Sequence, residues 1–250
     1  MFAAIASKAR PKATTYKLLE QQNIPFAHFV EPQDEALYQE HGIPNLHVIP
    51  KNDQGIGYVR NYILHWGKSN GHQWLWMLDD DVNAFGYAKD GKTFTTDASV
   101  LVQFWERTHG WNFPASGINY RQYAWASSKQ KTRIRVNAKP PDVCTLLHLP
   151  GIWWEFQEKF AVKADRDFYM RCIQHGKGIL MDQNFWFNCP NVGSNAGGLQ
   201  PLYQAKRDHH YSVMLHNEWK DYSKLIKKGE RVDCRLDYKA FAKSLHRLIR

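Results

Sequence analysis

The feature that most constrains this chain is an abrupt change of polarity. Trp74-Leu-Trp-Met-Leu78 is wholly apolar and leads without a spacer into Asp79-Asp80-Asp81. A short unbroken apolar run reads as a strand buried on both faces. Three consecutive carboxylates at its end repel one another, and a half-buried strand end makes that costly. A hard divalent cation removes the cost, and carboxylate oxygens suit magnesium or manganese. The bland alternative, a solvated acidic turn, loses weight because the triplet directly follows a buried run.

The preceding residues set the context. Phe2–Ser7, Pro25–Val30 and Leu46–Pro50 read as three further strands. Between them Thr14–Gln22, Gln33–His41 and Tyr58–Trp66 read as helices, the last with Val59, Tyr62, Ile63 and Trp66 on one face. Strands alternating with helices predict an α/β fold, a Rossmann-like, mostly parallel central sheet flanked by helices. Ligands of such sheets bind at the carboxyl ends of the strands. Ser7-Lys-Ala-Arg10 and the Asp triplet both fall there. Gly55-Ile-Gly57 is too short for a dinucleotide fingerprint.

After Asp81 the rhythm changes. Residues 85–150 are rich in aromatics, glycine and cations; 165–180 read as a helix followed by a short strand at Ile179–Met181. Asn191–Gly198 reads as a loop, and Asp237–Ile249 as an amphipathic helix with Lys239, Lys243 and Arg247 on its polar side. The expected organisation is one domain. Residues 1–84 form a nucleotide-binding half, 85–210 an aromatic and basic acceptor-side half, and 211–250 a basic C-terminal helical segment.

Charge is focused. Residues 119–141 carry Arg121, Lys129, Lys131, Arg133, Arg135 and Lys139 with no acid, and 220–250 carry ten cations against four acids. These segments hold +12 of a total of +9, so the remainder is −3. That distribution points to a polyanionic partner. Tyr120, Tyr123 and Trp125 interleave with the first segment, and aromatics beside cations suit stacked bases and phosphates. Arg133-Ile-Arg135-Val136 also alternates like a charged edge strand, which needs no ligand.

Several classes are excluded. An apolar fraction of 43% is too rich for disorder. No apolar run approaches the roughly 18 residues of a membrane span. The four cysteines form no CxxC pair, and neither HExxH nor GxSxG occurs. Lys8 and Arg10 follow the first few apolar residues too closely for a secretory leader, so the expectation is a cytoplasmic protein with reduced thiols.

The remaining candidates are single residues. Arg60 opens a helix ahead of the triplet and suits a phosphate or one of its carboxylates. Asp165 stands where a helix begins and is either a cap or a general base. His209 and His210 are possible additional metal ligands, or a solvated pair.

Ile5-Ala-Ser-Lys-Ala-Arg10, Gly55-Ile-Gly-Tyr-Val-Arg-Asn61, Trp74-Leu-Trp-Met-Leu-Asp-Asp-Asp-Val82 and Asp165-Arg-Asp-Phe168 stand in an order that resembles the GT-A fold glycosyltransferases. More specifically, they resemble the TET-associated glycosyltransferases, over about residues 2–200. The resemblance implies an enzyme, found largely in bacteriophages, that moves a sugar from a nucleotide-sugar, taken as a UDP-sugar, to 5-hydroxymethylcytosine in DNA. It implies a functional link to the TET/JBP-type dioxygenase that hydroxylates the base. Asp79 and Asp81 match the metal-binding DxD pair, with Mn2+ or Mg2+ as the ion. Ser7, Lys8, Arg10, Arg60, Asp79 and Asp80 fall on the donor side. Asp165 matches the acidic position where inverting members place their base. Many relatives have Glu-Asp where this chain has Ala164-Asp165, which leaves Asp165 and Asp167 both as candidates. A late metal-ligand histidine would be His209 or His210. DNA contacts fall to Arg121, Lys129, Lys131, Arg133 and Arg135. A GT-A enzyme acting on a glycan or protein is the alternative, and a metal-dependent nucleic-acid-binding protein or nuclease is the reading from another class.

Overall fold

Four apolar runs become the parallel half of one sheet. In the computed structural model, which describes residues 1–127, 129, 133–190, 197, 198, 200, 202, 207–229 and 231–248, they are β1 (Phe2–Ala6), β2 (Phe26–Val30), β3 (Leu46–Val48) and β4 (Trp74–Asp79), in the order β3-β2-β1-β4. Crossover helices α1 (Thr15–Glu20), α2 (Glu35–Glu40) and α3 (Ile56–Ser69) connect them. The apolar run before the triplet is explained by its two faces. Leu75 and Met77 join a core with Phe29, Ile63, Leu64 and Phe168, while Trp76 and Leu78 join one with Ile5, Leu19 and Phe104. A fully buried side chain of this kind contributes roughly 1.5–3 kcal/mol, so β4 is both the site's support and a major source of stability.

The rest of the sheet is mixed. β5 (Ala84–Lys89) and β6 (Lys92–Thr96) form an edge hairpin, followed by α4 (Ser99–Thr108), β7 (Ala115–Tyr120), α5 (Arg121–Ser127), β8 (Ile134–Val136) and β9 (Cys144–His148). β9 enters antiparallel between β4 and β7. After α6 (Ala164–His175) comes β10 (Ile179–Asn188), parallel to β7 and antiparallel to β5 and β8. The short strand expected at Ile179–Met181 therefore runs on to Asn188. Its polar middle is buried but bonded: Asn184 donates its backbone N–H to Asp182, while Arg133 and Arg135 donate to Asn184 and Gln183.

The expectation of a helical 211–250 is corrected. α7 (Asp208–Glu218) is followed by a hairpin of β11 (Ser223–Lys228) and β12 (Arg231–Leu236) before α8 (Tyr238–Leu248). Val232, Cys234 and Leu236 recur at the two-residue period of a strand, and Cys234 and Leu236 enter the core. Cys144, Cys172 and Cys234 are buried free thiols, and Cys189 is half-buried. Among the described residues no helix is long and apolar enough to cross a membrane.

Candidate active site

The topology gathers the chemistry along one edge of the sheet. β1, β2, β4, β7 and β10 deliver their C-terminal ends there, and β9, running the other way, delivers its N-terminal end. The first turns of α3 and α6 supply residues to the same edge. The result is a cleft of about 1280 Å³ lined by residues from β1, β2, β4, β7 and β10, from both helices and from the segment just before β9.

The three aspartates divide. Asp80 is buried and turned into the protein, where Ser7 Oγ donates to it at 2.5 Å and Arg10 Nη1 at 3.0 Å. Arg10 Nη1 also lies 3.3 Å from Asp81, and the Tyr38 hydroxyl meets Ser7 Oγ at 2.5 Å. Asp80 thus ties the end of β4 to the loop after β1. Asp79 and Asp81, the first and third of the triplet, are half-buried on the cleft side. Lys8 is held by Glu31 at 2.8 Å and by Asp53. Gly197 and Gly198 close over this loop: the Gly198 N–H donates to the Lys8 carbonyl at 3.0 Å, and Arg10 Nη2 donates to the Gly197 carbonyl at 3.2 Å. Gly197 has φ +81° and lies so close to the Lys8 and Ala9 carbonyls that a Cβ would stand 2.9 Å from both, so glycine is required there.

Arg60 joins the two motif regions. Its side chain, 10% accessible, places Nη2 3.5 Å from Asp79 and Nη1 3.8 Å from Asp165. The guanidinium lies 5.8 Å from the Phe156 ring centre. Asn61 fixes that neighbourhood by donating to the Phe156 carbonyl at 2.9 Å and accepting from its N–H at 2.8 Å. A buried arginine within reach of two carboxylates from distant parts of the chain is not surface decoration.

Asp165 and Asp167 are separated by helix geometry. Two residues rotate roughly 200° about a helix axis. Asp165 lines the cleft, whereas Asp167 is fully buried on the other side, taking Arg171 Nε at 2.7 Å and the Trp219 indole N–H at 2.9 Å. Sequence reasoning missed Asp142. It lines the cleft from the N-terminal end of β9, with φ +37°. Only the antiparallel direction of β9 brings an acid that precedes a strand to the edge where the others follow theirs.

Within the cleft, burial and neighbouring carboxylates together perturb the acids at the sheet edge. Burial pushes the Asp79 carboxyl up to about 7; Asp81, Asp80 and Asp165 add to the rise and Arg60 opposes it. Burial, then Asp165, raises Asp142, with Arg166 and Arg60 opposing. Cleft water still reaches 40% of the Asp79 side chain. The Cys189 thiol, also facing the cleft, is pushed up to about 12 by burial and neighbouring aspartates, which keeps it protonated and unreactive.

A sequence profile of the TET-associated glycosyltransferases matches residues 4–198, most of the chain and all four motif segments. The chain belongs to that family. It is therefore a glycosyltransferase, and the mixed sheet with flanking helices fits the GT-A-like fold expected of one. Comparison with curated proteins returned no match.

Not every residue singled out in the sequence reaches the cleft of this glycosyltransferase. His209 and His210 are exposed on α7, while Arg207, just before that helix, and Tyr211 within it line the cleft. Among the described residues no three His, Cys, Asp or Glu groups stand close enough to hold an ion unaided. Arg121 lines the cleft, and Lys129 is exposed nearby with Nζ 5.5 Å from the Trp125 ring centre. Arg133 and Arg135 are occupied on β10, and Arg133 also lies 3.6 Å from Asp90, which is the edge-strand reading of that segment. Lys131 and 191–196 lie outside the described residues. The C-terminal unit contributes instead through Asp233, which accepts from Lys163 at 2.7 Å and Arg166 at 2.8 Å at the cleft wall.

Proposed function

We propose that this glycosyltransferase transfers a sugar from a UDP-sugar to the hydroxymethyl group of 5-hydroxymethylcytosine in DNA, with a divalent ion, Mn2+ or Mg2+, at Asp79 and Asp81. The observation that carries the reading is the position of Arg60 between Asp79 and Asp165, which sets a donor-side acid and an acceptor-side acid in one cleft. The donor set fits a hard cation. It is all oxygen, and burial, with the neighbouring aspartates adding to it, holds Asp79 far above an ordinary carboxylate. Among the described residues no three such groups stand together, so Asp79 and Asp81 would hold the ion with the remaining ligands supplied by the donor and water. When bound, the ion neutralises charge that develops on the leaving diphosphate.

The chain's own residues do the rest. Arg10 and Arg60 present fixed cations to the donor phosphates. Asp165 accepts the proton of the hydroxymethyl group as its oxygen bonds to the anomeric carbon and the sugar–diphosphate bond breaks. Asp80, Ser7 and Tyr38 hold the end of β4 in place. A dioxygenase of the TET/JBP type is the reaction class that supplies the hydroxylated base.

The test is a transfer assay with hydroxymethylated and unmodified DNA, a panel of UDP-sugars, and Mn2+ with or without chelator. Metal-dependent incorporation into hydroxymethylated DNA alone is the expected result. No incorporation with any common UDP-sugar overturns the acceptor assignment.

A further inference from the structure

A second concave surface adjoins the cleft. α5 packs on the β5–β6 hairpin through Ala88, Ala124 and the buried Trp186. Alanines at this joint let the helix lie close to the strands. Between helix and hairpin is an open depression of about 620 Å³ lined by Lys92, Phe94, Arg121, Gln122, Trp125 and Asn188, among others. Its lining contains two cations and no acid. Arg121, Gln122 and Asn188 also line the active-site cleft, so the two surfaces are continuous.

Large aromatic rings face solvent on this surface. Trp125 and Phe94, which line the depression, are 51% and 40% exposed; Tyr87 beside Phe94 is 41% exposed, and Tyr123, on the cleft side of α5, is 50% exposed. Tyr87 and Phe94 are a cross-strand pair, stacked at 5.0 Å with planes 17° apart. Cations stand over the helix rings: Lys139 Nζ is 5.1 Å from the Tyr123 ring centre, as Lys129 is near that of Trp125. Exposed rings with cations held at their faces and no acid in the depression match an unpaired nucleic-acid strand. Its phosphates take the cations and its bases stack on the rings. A duplex offers only phosphates, because its base faces are already stacked.

We propose that this shelf binds an unstacked, single-stranded segment of the acceptor DNA beside the modified base. The inference rests on the DNA-acceptor reading above and adds the form of the substrate: locally opened or single-stranded DNA is bound in preference to intact duplex. Affinity is measured by fluorescence anisotropy with unmodified oligonucleotides, single-stranded and duplex, over a salt series. The single strand binds about tenfold or more tighter. Trp125→Ala and Tyr123→Ala each weaken it about five- to tenfold and leave duplex affinity unchanged. Lys92→Gln flattens the single-strand salt slope by about 0.7. Circular dichroism and melting confirm that these surface variants fold, and Trp125→Leu separates loss of the ring from loss of bulk. Equal affinity for both forms, or single-strand binding unaffected by Trp125→Ala and Tyr123→Ala, overturns the proposal. Transfer to hydroxymethylated DNA without single-strand preference removes the shelf alone. Single-strand preference without transfer removes the acceptor assignment alone.

Discussion

Asp79 makes the protein's stability depend on pH. Its carboxyl rises from an ordinary 3.8 to about 7 in the folded chain. Between those values the folded state holds a proton that the unfolded state has lost. This contribution to stability is therefore complete below about pH 4 and is lost as pH rises through 7. A span of roughly three pH units at 1.36 kcal/mol each sets a ceiling of about 4 kcal/mol. Cleft water reaches 40% of the side chain, and screening reduces the figure to about 1–2 kcal/mol. At about 2–4 °C per kcal/mol for a chain of this size, the thermal midpoint should fall by roughly 2–8 °C between pH 4 and pH 8 from this group. The assay is thermal melting in chelator, with Asp79→Asn as the reference, so that other titrating groups cancel in the difference. Mn2+ should raise the wild-type midpoint more at pH 8 than at pH 5, because the ion takes the deprotonated ligand. Identical pH slopes in wild type and Asp79→Asn would refute the reasoning, and an ion effect independent of pH would remove Asp79 from the metal site.

Three substitutions separate roles within the cleft and its frame. Asp165→Asn should lower kcat about 10²–10⁴-fold with UDP-sugar affinity retained; near-normal turnover would disqualify it as the base. Asp167→Asn should cost about 1–3 kcal/mol of stability through the buried Arg171 and Trp219 bonds while kcat of the folded protein stays near wild type, and a kcat collapse at unchanged stability would contradict the assignment. Gly86→Ala should destabilise by about 1–3 kcal/mol or more, because its Cβ would stand 2.1 Å from the Phe94 carbonyl oxygen and 2.2 Å from Trp186; an unchanged melting point would show that the hairpin yields freely.

The donor half was legible because parallel strands buried on both faces are written as unbroken apolar runs, and the acids after them fall where such sheets bind ligands. Asp79, Asp81, Arg10 and Arg60 were singled out from the sequence, and all four line the cleft. Asp142 was not, since nothing local announces that β9 will insert antiparallel between β4 and β7. Asp165 and Asp167 share the first turn of α6 and only the packed helix shows which one turns inward. Helix phase also decides the histidine pair: Arg207 and Tyr211, not the residues between them, line the cleft. Arg133 and Arg135 show the limit of reading charge, because their alternation was visible while their acceptors on β10 were not.

The insertion of β9 beside β4 also governs how the chain assembles. Every ladder around the site joins distant segments: β1 pairs with Leu75–Asp79, and Trp74–Leu78 with Cys144–His148. Contacts so far apart are slow to form, and the loops between them must close first. When residues 1–84 have emerged from a ribosome, β4 has one neighbour and its other edge is an unpaired apolar template. Residues 1–84 are thus not a folding unit by themselves. A fragment ending after Ala84 should aggregate, and soluble expression of it would contradict this picture. The acids after β4 join the assembled cleft only when sequence some 60 residues downstream has closed the sheet, so the cleft is incomplete until β9, with Asp142 just ahead of it, is in place.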